Sequence, residues 1–386
     1  MNVKEIIRKI FYEVLSIINI IVPKNPNQIL LYSNSELADS NEALALYMLD
    51  NCRYIIKCFT HRKLQDKERY DGIYYTNKIL KLILWYFRSG SVVETHTVQV
   101  KMRPTKNQFV LQIWHGTPIK YMEYKASTNY RENIASFYTS IVYPSEKYKN
   151  EMARLFGAKD EQMILMGYPR NDLLFTPKHS NFLCTDQYNR VVAWLPTYRN
   201  SSAIGLENRF KKALPVICSE NIDQLECFLR ERNMLMIIKI HPLQNKTEID
   251  IQNTDHIKII FNKDLSLHKE PLYSLLAQTD ALITDFSSVV FDYLLTDKPI
   301  GFCIDDFNEY EEKVGFCCVE NIDELLTGPI IQNIDELITF LDSVYKGNQG
   351  DIFKDKRKIV REMANYYLDD GNSRRCVDEI EKRIKQ

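Results

Sequence analysis

Glycine is scarce in this sequence, 12 in 386 residues, and neither a G-x-G-x-x-G nor a Walker-type G-x-x-x-x-G-K run occurs. The two common glycine-rich phosphate cradles are therefore excluded. Nine cysteines are scattered singly apart from the neighbouring Cys317 and Cys318, with no C-x-x-C pair and no Cys/His grouping at zinc-ligand spacing. That pattern argues against a structural zinc and a disulfide framework, and the expectation is a reduced, cytosolic chain. Charge of one sign is also lacking, since 50 Lys and Arg nearly balance 51 Asp and Glu to give −1. Without a global pull toward nucleic acid or anionic lipid, any anion binding must be local. No run is long and apolar enough to span a bilayer securely: the segment Val3–Val22 carries Lys4, Arg8, Lys9, Glu13 and Asn19. It meets Pro23, Lys24 and Asn25 without a small-residue cleavage site, so it is expected to be retained.

What is present points to two α/β domains. The length and a hydrophobic content of 45% suffice for two cores. Apolar runs of strand length recur at Gln28–Tyr32, Ser91–Glu94, Phe109–Trp114, Ser140–Tyr143 and Gln162–Met166. They return at Arg190–Leu195, Leu235–Ile240, Ile257–Phe261, Ala281–Thr284 and Pro299–Cys303. Helical patterns lie between them, which implies doubly wound parallel sheets. An aperiodic stretch from Phe175 to Tyr188 reads as a linker. The expected organisation is an N-terminal amphipathic helix over 1–25, a first Rossmann-like domain over 26–180 and a second over 181–386 that includes three terminal helices. Residues 3–22 suit either a membrane-surface helix with a basic start or a helix packed on the protein, whereas core packing is expected of residues 77–88. Two such domains facing each other would enclose a cleft lined by the carboxyl ends of both sets of strands.

The polar residues at those strand ends carry the chemistry. His115 follows the apolar run ending in Trp114, with Gly116, Thr117 and Pro118 behind it, so a short turn would hold its imidazole at the cleft. There it would take a proton from an attacking hydroxyl near neutral pH, and the alternative is a structural histidine bonded to a carbonyl. His241 ends a second strand, two positions after Lys239, placed to meet charge developing on a phosphate oxygen. In T-D-F-S-S-V-V-F-D, Thr284–Asp292, a strand opens into a helix with Ser287 or Ser288 as the expected N-cap and anion site. Arg170 and Arg199 offer forked donors for phosphate or, alternatively, ion pairs.

Together I-W-H-G-T-P, G-Y-P-R-N-D, W-L-P-T-Y-R, K-I-H-P, T-D-F-S-S-V-V-F-D and D-G-N-S-R-R resemble the CDP-glycerol glycerophosphotransferase family over roughly Gln112 to Arg375. The resemblance implies a GT-B fold, no metal and no cofactor, and transfer of a polyol phosphate from a CDP-polyol donor with release of CMP. It further implies His115 as base toward the acceptor and His241 on the donor diphosphate. Ser287, Ser288, Arg199, Lys239 and Thr284 would hold diphosphate oxygens; Asp285 would orient His241 or the helix start, and Asp292 would reach a ribose or polyol hydroxyl. Gly116, Thr117 and Arg170 would lie on the acceptor or cleft side. The short chain is similar to members that prime a lipid-linked saccharide or polymer acceptor, working peripherally on the inner face of the cell membrane. A GT-B sugar transferase or epimerase using a UDP- or CMP-sugar, and an idle membrane-associated scaffold, are the alternatives.

Overall fold

The computed structural model describes residues 3–34, 36–96, 100–119, 134–176, 182–197, 214–241, 249–285, 287–304 and 322–384. The chain divides into two compact units, Met1–His115 with Asn129–Leu173 and Tyr366–Gln386, and Gly116–Thr128 with Leu174–Asn365.

The first unit is built on seven parallel strands: β1 (Asn25–Tyr32), β2 (Ile55–Phe59), β3 (Ile73–Thr76), β4 (Ser89–Glu94), β5 (Phe109–Gln112), β6 (Ser140–Tyr143) and β7 (Met163–Leu165). Their order is β3-β2-β1-β4-β5-β6-β7, so the chain builds outward from β1, crosses to β4 and builds the other way. The topological switch point therefore lies between β1 and β4, where open α/β sheets bind ligands. Ile29, Leu30, Leu31, Val92, Val93 and Leu111 are all buried, as expected of central strands covered on both faces. Each such side chain contributes roughly 1.5–3 kcal/mol of burial. β2 and β3 were not among the predicted strands. Ile55 and Tyr74 stay exposed at this side of the sheet, so the runs I-I-K-C-F and I-Y-Y-T lack the continuous apolar signal of the centre.

Helix α1 (Val3–Ile21) turns few residues inward; Leu15 and Asn19 are buried, while Ile7, Ile17 and Ile21 are 62%, 64% and 77% exposed. In α3 (Ile79–Arg88) the expected core packing holds for Leu82, Ile83, Tyr86 and Phe87, but Leu80 and Leu84 face out. Lys24 ties the two helices together. Its ammonium donates to the carbonyls of Asn19, Val22 and Phe87 and to the Asn19 side chain at 2.7–3.1 Å, and burial lowers its pKa to about 8.

The second unit has six parallel strands: β8 (Arg190–Leu195), β9 (Met234–Lys239), β10 (Ile257–Ile260), β11 (Ala281–Thr284), β12 (Ile300–Cys303) and β13 (Ile330–Ile331), in the order β10-β9-β8-β11-β12-β13. Its switch point lies between β8 and β11.

The division differs from the expected 26–180 and 181–386 in three places, the first being that the second unit resumes at Leu174. The turn after His115 groups with the second unit, and the last helix, Asn372–Ile384, returns to the first. Cys376, Val377 and Ile380 of that helix join Ile29, Leu44, Met48 and Leu111 in one core. Its start is held by Asp172, whose carboxylate accepts the amides of Asn372 at 2.9 Å and Ser373 at 2.6 Å. Two of the sequence motifs, G-Y-P-R-N-D and D-G-N-S-R-R, thus meet across 200 residues as a helix cap. Gly167 belongs to the same junction, because a Cβ there would collide with the Asn372 side chain. Burial pushes the Asp172 carboxyl up to about 6 against the pull of these bonds. Asp172→Ala is expected to cost about 2 kcal/mol through the two orphaned amides, lowering Tm by roughly 4–8 °C. Asp172→Asn, which keeps an acceptor, should lose less; equal melting of Asp172→Ala and wild type would contradict the cap.

Candidate functional site

The carboxyl edge of the first sheet is set by one register row, Tyr32 of β1 opposite Glu94 of β4, and Glu94 opposite Gln112 of β5. His96 lies two residues beyond that row and His115 three. Their rings stack nearly parallel, with centroids 5.1 Å apart and planes 9° from one another. Gln112, fully buried, fastens the two turns: its Nε2 donates to the His96 carbonyl and its Oε1 accepts the Trp114 amide, both at 2.8 Å.

The turn that presents His115 is strained. Trp114 has φ +55°, a left-handed conformation that a bulky residue adopts at a cost on the order of 1–3 kcal/mol. Gly116, at φ +137°, relieves the next step because it has no Cβ. The Trp114 ring is anchored edge-on against Phe156 of α4 (Glu146–Phe156) at 5.0 Å and lies 4.0 Å from the His115 ring. Arg170, only 4% exposed, donates from Nη1 to the His115 carbonyl at 2.9 Å. A guanidinium buried on a backbone carbonyl positions the turn. Thr117 is fully buried, and its Oγ1 has no hydrogen-bond partner among the described residues.

Burial lowers the His96 pKa, Arg170 lowers it further and Asp39 opposes both. Glu94 is buried as well, and its carboxyl is pushed up to about 8 by desolvation while the Tyr138 hydroxyl, 3.2 Å from Oε2, opposes the shift. The sequence reading missed His96 and Gln112. Their signal was the V-V-E-T-H run, a strand delivering a histidine just as I-W-H does.

In the second unit, three adjacent strands β9, β8 and β11 end at one edge. Lys239 and the half-buried His241 terminate β9, and Thr197 follows β8. Asp285 follows β11 and accepts the Thr197 amide at 3.1 Å and the Thr197 hydroxyl, fixing the turn that leads toward Arg199. Arg199 itself lies outside the described residues.

Helix α8 (Val289–Tyr293) is only five residues long before a 3₁₀ turn, and Ser288 makes no side-chain cap. Ser288 has helical backbone angles, φ −61° and ψ −15°, where a capping residue is ordinarily extended. Both serines are half-buried, and neither hydroxyl is hydrogen-bonded among the described residues.

Two further residues of the T-D-F-S-S-V-V-F-D run make buried contacts. Thr284 is fully buried and its hydroxyl donates to the Leu195 carbonyl at 2.8 Å, joining β11 to β8. Asp292 is also fully buried and accepts the Tyr273 hydroxyl at 2.6 Å. No group of His, Cys, Asp and Glu able to hold a metal ion occurs among the described residues.

A family model for CDP-glycerol:poly(glycerophosphate) glycerophosphotransferase matches residues 14–382. The chain is 25% identical over 324 residues to the teichoic acid glycerol-phosphate primase of Bacillus subtilis strain 168, covering 79% of this chain and 77% of that protein. A structure of the wall teichoic acid polymerase TagF superposes with a TM-score of 0.73 at 20% identity, covering 99% of this chain and 96% of that one. A UDP-GlcNAc 2-epimerase from Neisseria meningitidis superposes with a TM-score of 0.51 at 12% identity, covering 92% and 100%. These likenesses show the fold, which is GT-B.

Proposed function

The chain belongs to the CDP-glycerol:poly(glycerophosphate) glycerophosphotransferase family, and from that membership we propose that it transfers glycerol phosphate or a related polyol phosphate from a CDP-activated donor to an acceptor hydroxyl in the synthesis of a teichoic-acid-type polymer. The observation that carries the reading is His115, held on a strained turn beyond β5 in a chain of this family.

In this mechanism the acceptor oxygen attacks the phosphorus bearing the polyol. The new P–O bond forms as the bond to the cytidine-bearing phosphate breaks, and CMP leaves. His115 takes the proton of the attacking hydroxyl. His241, Lys239 and Arg199, with the free hydroxyls of Ser287 and Ser288, neutralise charge on the departing phosphate, while Asp285 holds the turn of Thr197. Positioning and electrostatics supply most of the acceleration, as in phosphoryl transfer generally.

The test is a nucleotide-release assay, reading CMP or UDP, that crosses CDP-glycerol, CDP-ribitol, UDP-GlcNAc and CMP-sialic acid with lipid-linked and soluble acceptors. Release of CMP from a CDP-polyol supports the reading, and turnover of a UDP-sugar alone would overturn it. The reaction is expected to survive EDTA, and strict dependence on a divalent ion would contradict the metal-free mechanism.

The proposal includes a lipid-linked acceptor and peripheral attachment to the inner face of the cell membrane. No described helix is long and apolar enough to cross a bilayer, but α1 exposes Ile6, Ile7, Ile10, Val14, Ile17 and Ile21 beside Arg8 and Lys9. An apolar stripe with basic neighbours suits the surface of an anionic bilayer. The double variant Ile10→Glu with Ile17→Glu should reduce flotation with phosphatidylglycerol vesicles by at least about 10-fold without changing Tm. Undiminished flotation would remove α1 from the attachment.

A further inference from the structure

His96 takes no part in the proton and phosphoryl transfers, yet it stands at the topological switch point of the first sheet. It follows β4, the strand at which the order reverses, and β5 beside it delivers His115. Three contacts hold it: its Nδ1 lies 2.9 Å from Thr95 Oγ1, its carbonyl accepts Gln112 Nε2, and its ring covers His115 at 5.1 Å with the planes 9° apart. The Trp114 ring also lies against His115, 4.0 Å away and inclined by 47°. A ring sitting loosely at this edge would not need a buried amide to fasten its backbone to the turn of its neighbour.

We propose that His96 is a positioning residue for His115, fixing the plane of the His115 ring through the parallel stack so that the nitrogen facing the acceptor hydroxyl keeps its direction. The proposal rests on the reading of His115 as the base. Orientation of this kind has large leverage on rate, because small displacements of a reacting group cost up to about 10²-fold.

The charge of the stacked ring matters too. Among the described residues the groups facing His96 are Arg170, Asp39, Thr95 and His115, and burial together with Arg170 outweighs Asp39, so the ring is neutral at neutral pH. When His115 gains the hydroxyl proton, its new positive charge lies over a neutral π face, which attracts it, and not beside a second cation.

The test compares His96→Phe, which keeps a flat ring, with His96→Leu, which fills similar space without one. Both are assayed for CMP release at saturating acceptor, with Tm measured for each. His96→Leu is expected to lose about 10-fold in kcat while the KM for the CDP-polyol stays within about 2-fold and His96→Phe recovers to within about 3-fold of wild type. A purely structural role would lower both variants alike, and that result overturns the proposal, as does a wild-type kcat in His96→Leu. Adding His96→Leu to His115→Ala should cause no further loss, since residues acting as one unit are not additive. A further 10-fold fall there would show that His96 acts without His115. Full turnover of His115→Ala by itself would overturn the base reading and this proposal with it, whereas a dead His115→Ala beside an unaffected His96→Leu sinks the positioning role alone.

Discussion

Replacing His115 by alanine should lower kcat for CMP release by roughly 10²-fold or more while CDP-polyol binding survives. The separation of the two effects follows from where the residue sits. His115 belongs to the first unit, beyond β5, while the proposed diphosphate contacts Ser287, Ser288, Lys239 and His241 belong to the second. Donor binding, read as a rise in Tm with CDP-glycerol, should therefore be preserved. A His115→Gln variant sharpens the result: it keeps a polar side chain on the same strained turn but cannot accept a proton, so it should be as slow as alanine. Undiminished activity in either variant would dismiss His115 as the base. A parallel loss of donor binding would move it from the acceptor to the nucleotide.

The central strands and the two terminal histidines were legible because burial on both faces writes itself as an unbroken apolar run. Val92, Val93, Leu235, Ile237 and Ile283 are fully or almost fully buried, and the predicted runs around them match the strands found. At the margins the code weakens. β2 and β3 carry Lys57, Tyr74 and Tyr75 because one side of each is partly open, and β13 is two residues long. The roles of polar residues inside motifs were less legible still. A threonine at a strand end reads the same whether its hydroxyl faces a phosphate or, as Thr284 does, a neighbouring carbonyl. Arg170 and Asp172 sit two apart in one motif, and one holds the His115 carbonyl while the other caps a helix 200 residues away. Only the three-dimensional register assigns them. The positive φ of Trp114 has no counterpart in composition at all, because tertiary anchoring by Phe156 and Gln112 imposes it.

Glu94→Gln is expected to stabilise the protein, and by an amount that depends on pH. The carboxyl of Glu94 is 2% exposed beneath the His96 turn, and burial pushes its pKa up to about 8 from the ordinary value of 4.5. Between those two values the folded state holds a proton that the unfolded chain has released. Stability therefore falls as pH rises through that window and levels off once the folded carboxyl has also ionised, above about 8. Glutamine cannot ionise and still offers an oxygen to the Tyr138 hydroxyl. The variant should match wild type near pH 4 and exceed it by roughly 3–5 kcal/mol at pH 8.5, a gain of about 6–20 °C in Tm. Melting curves across pH 4–9 measure the difference, and parallel curves for the two proteins would show that Glu94 does not carry this proton. The same proton bears on the site. Because burial keeps a proton on Glu94 at pH 7, Glu94→Gln should keep its turnover there.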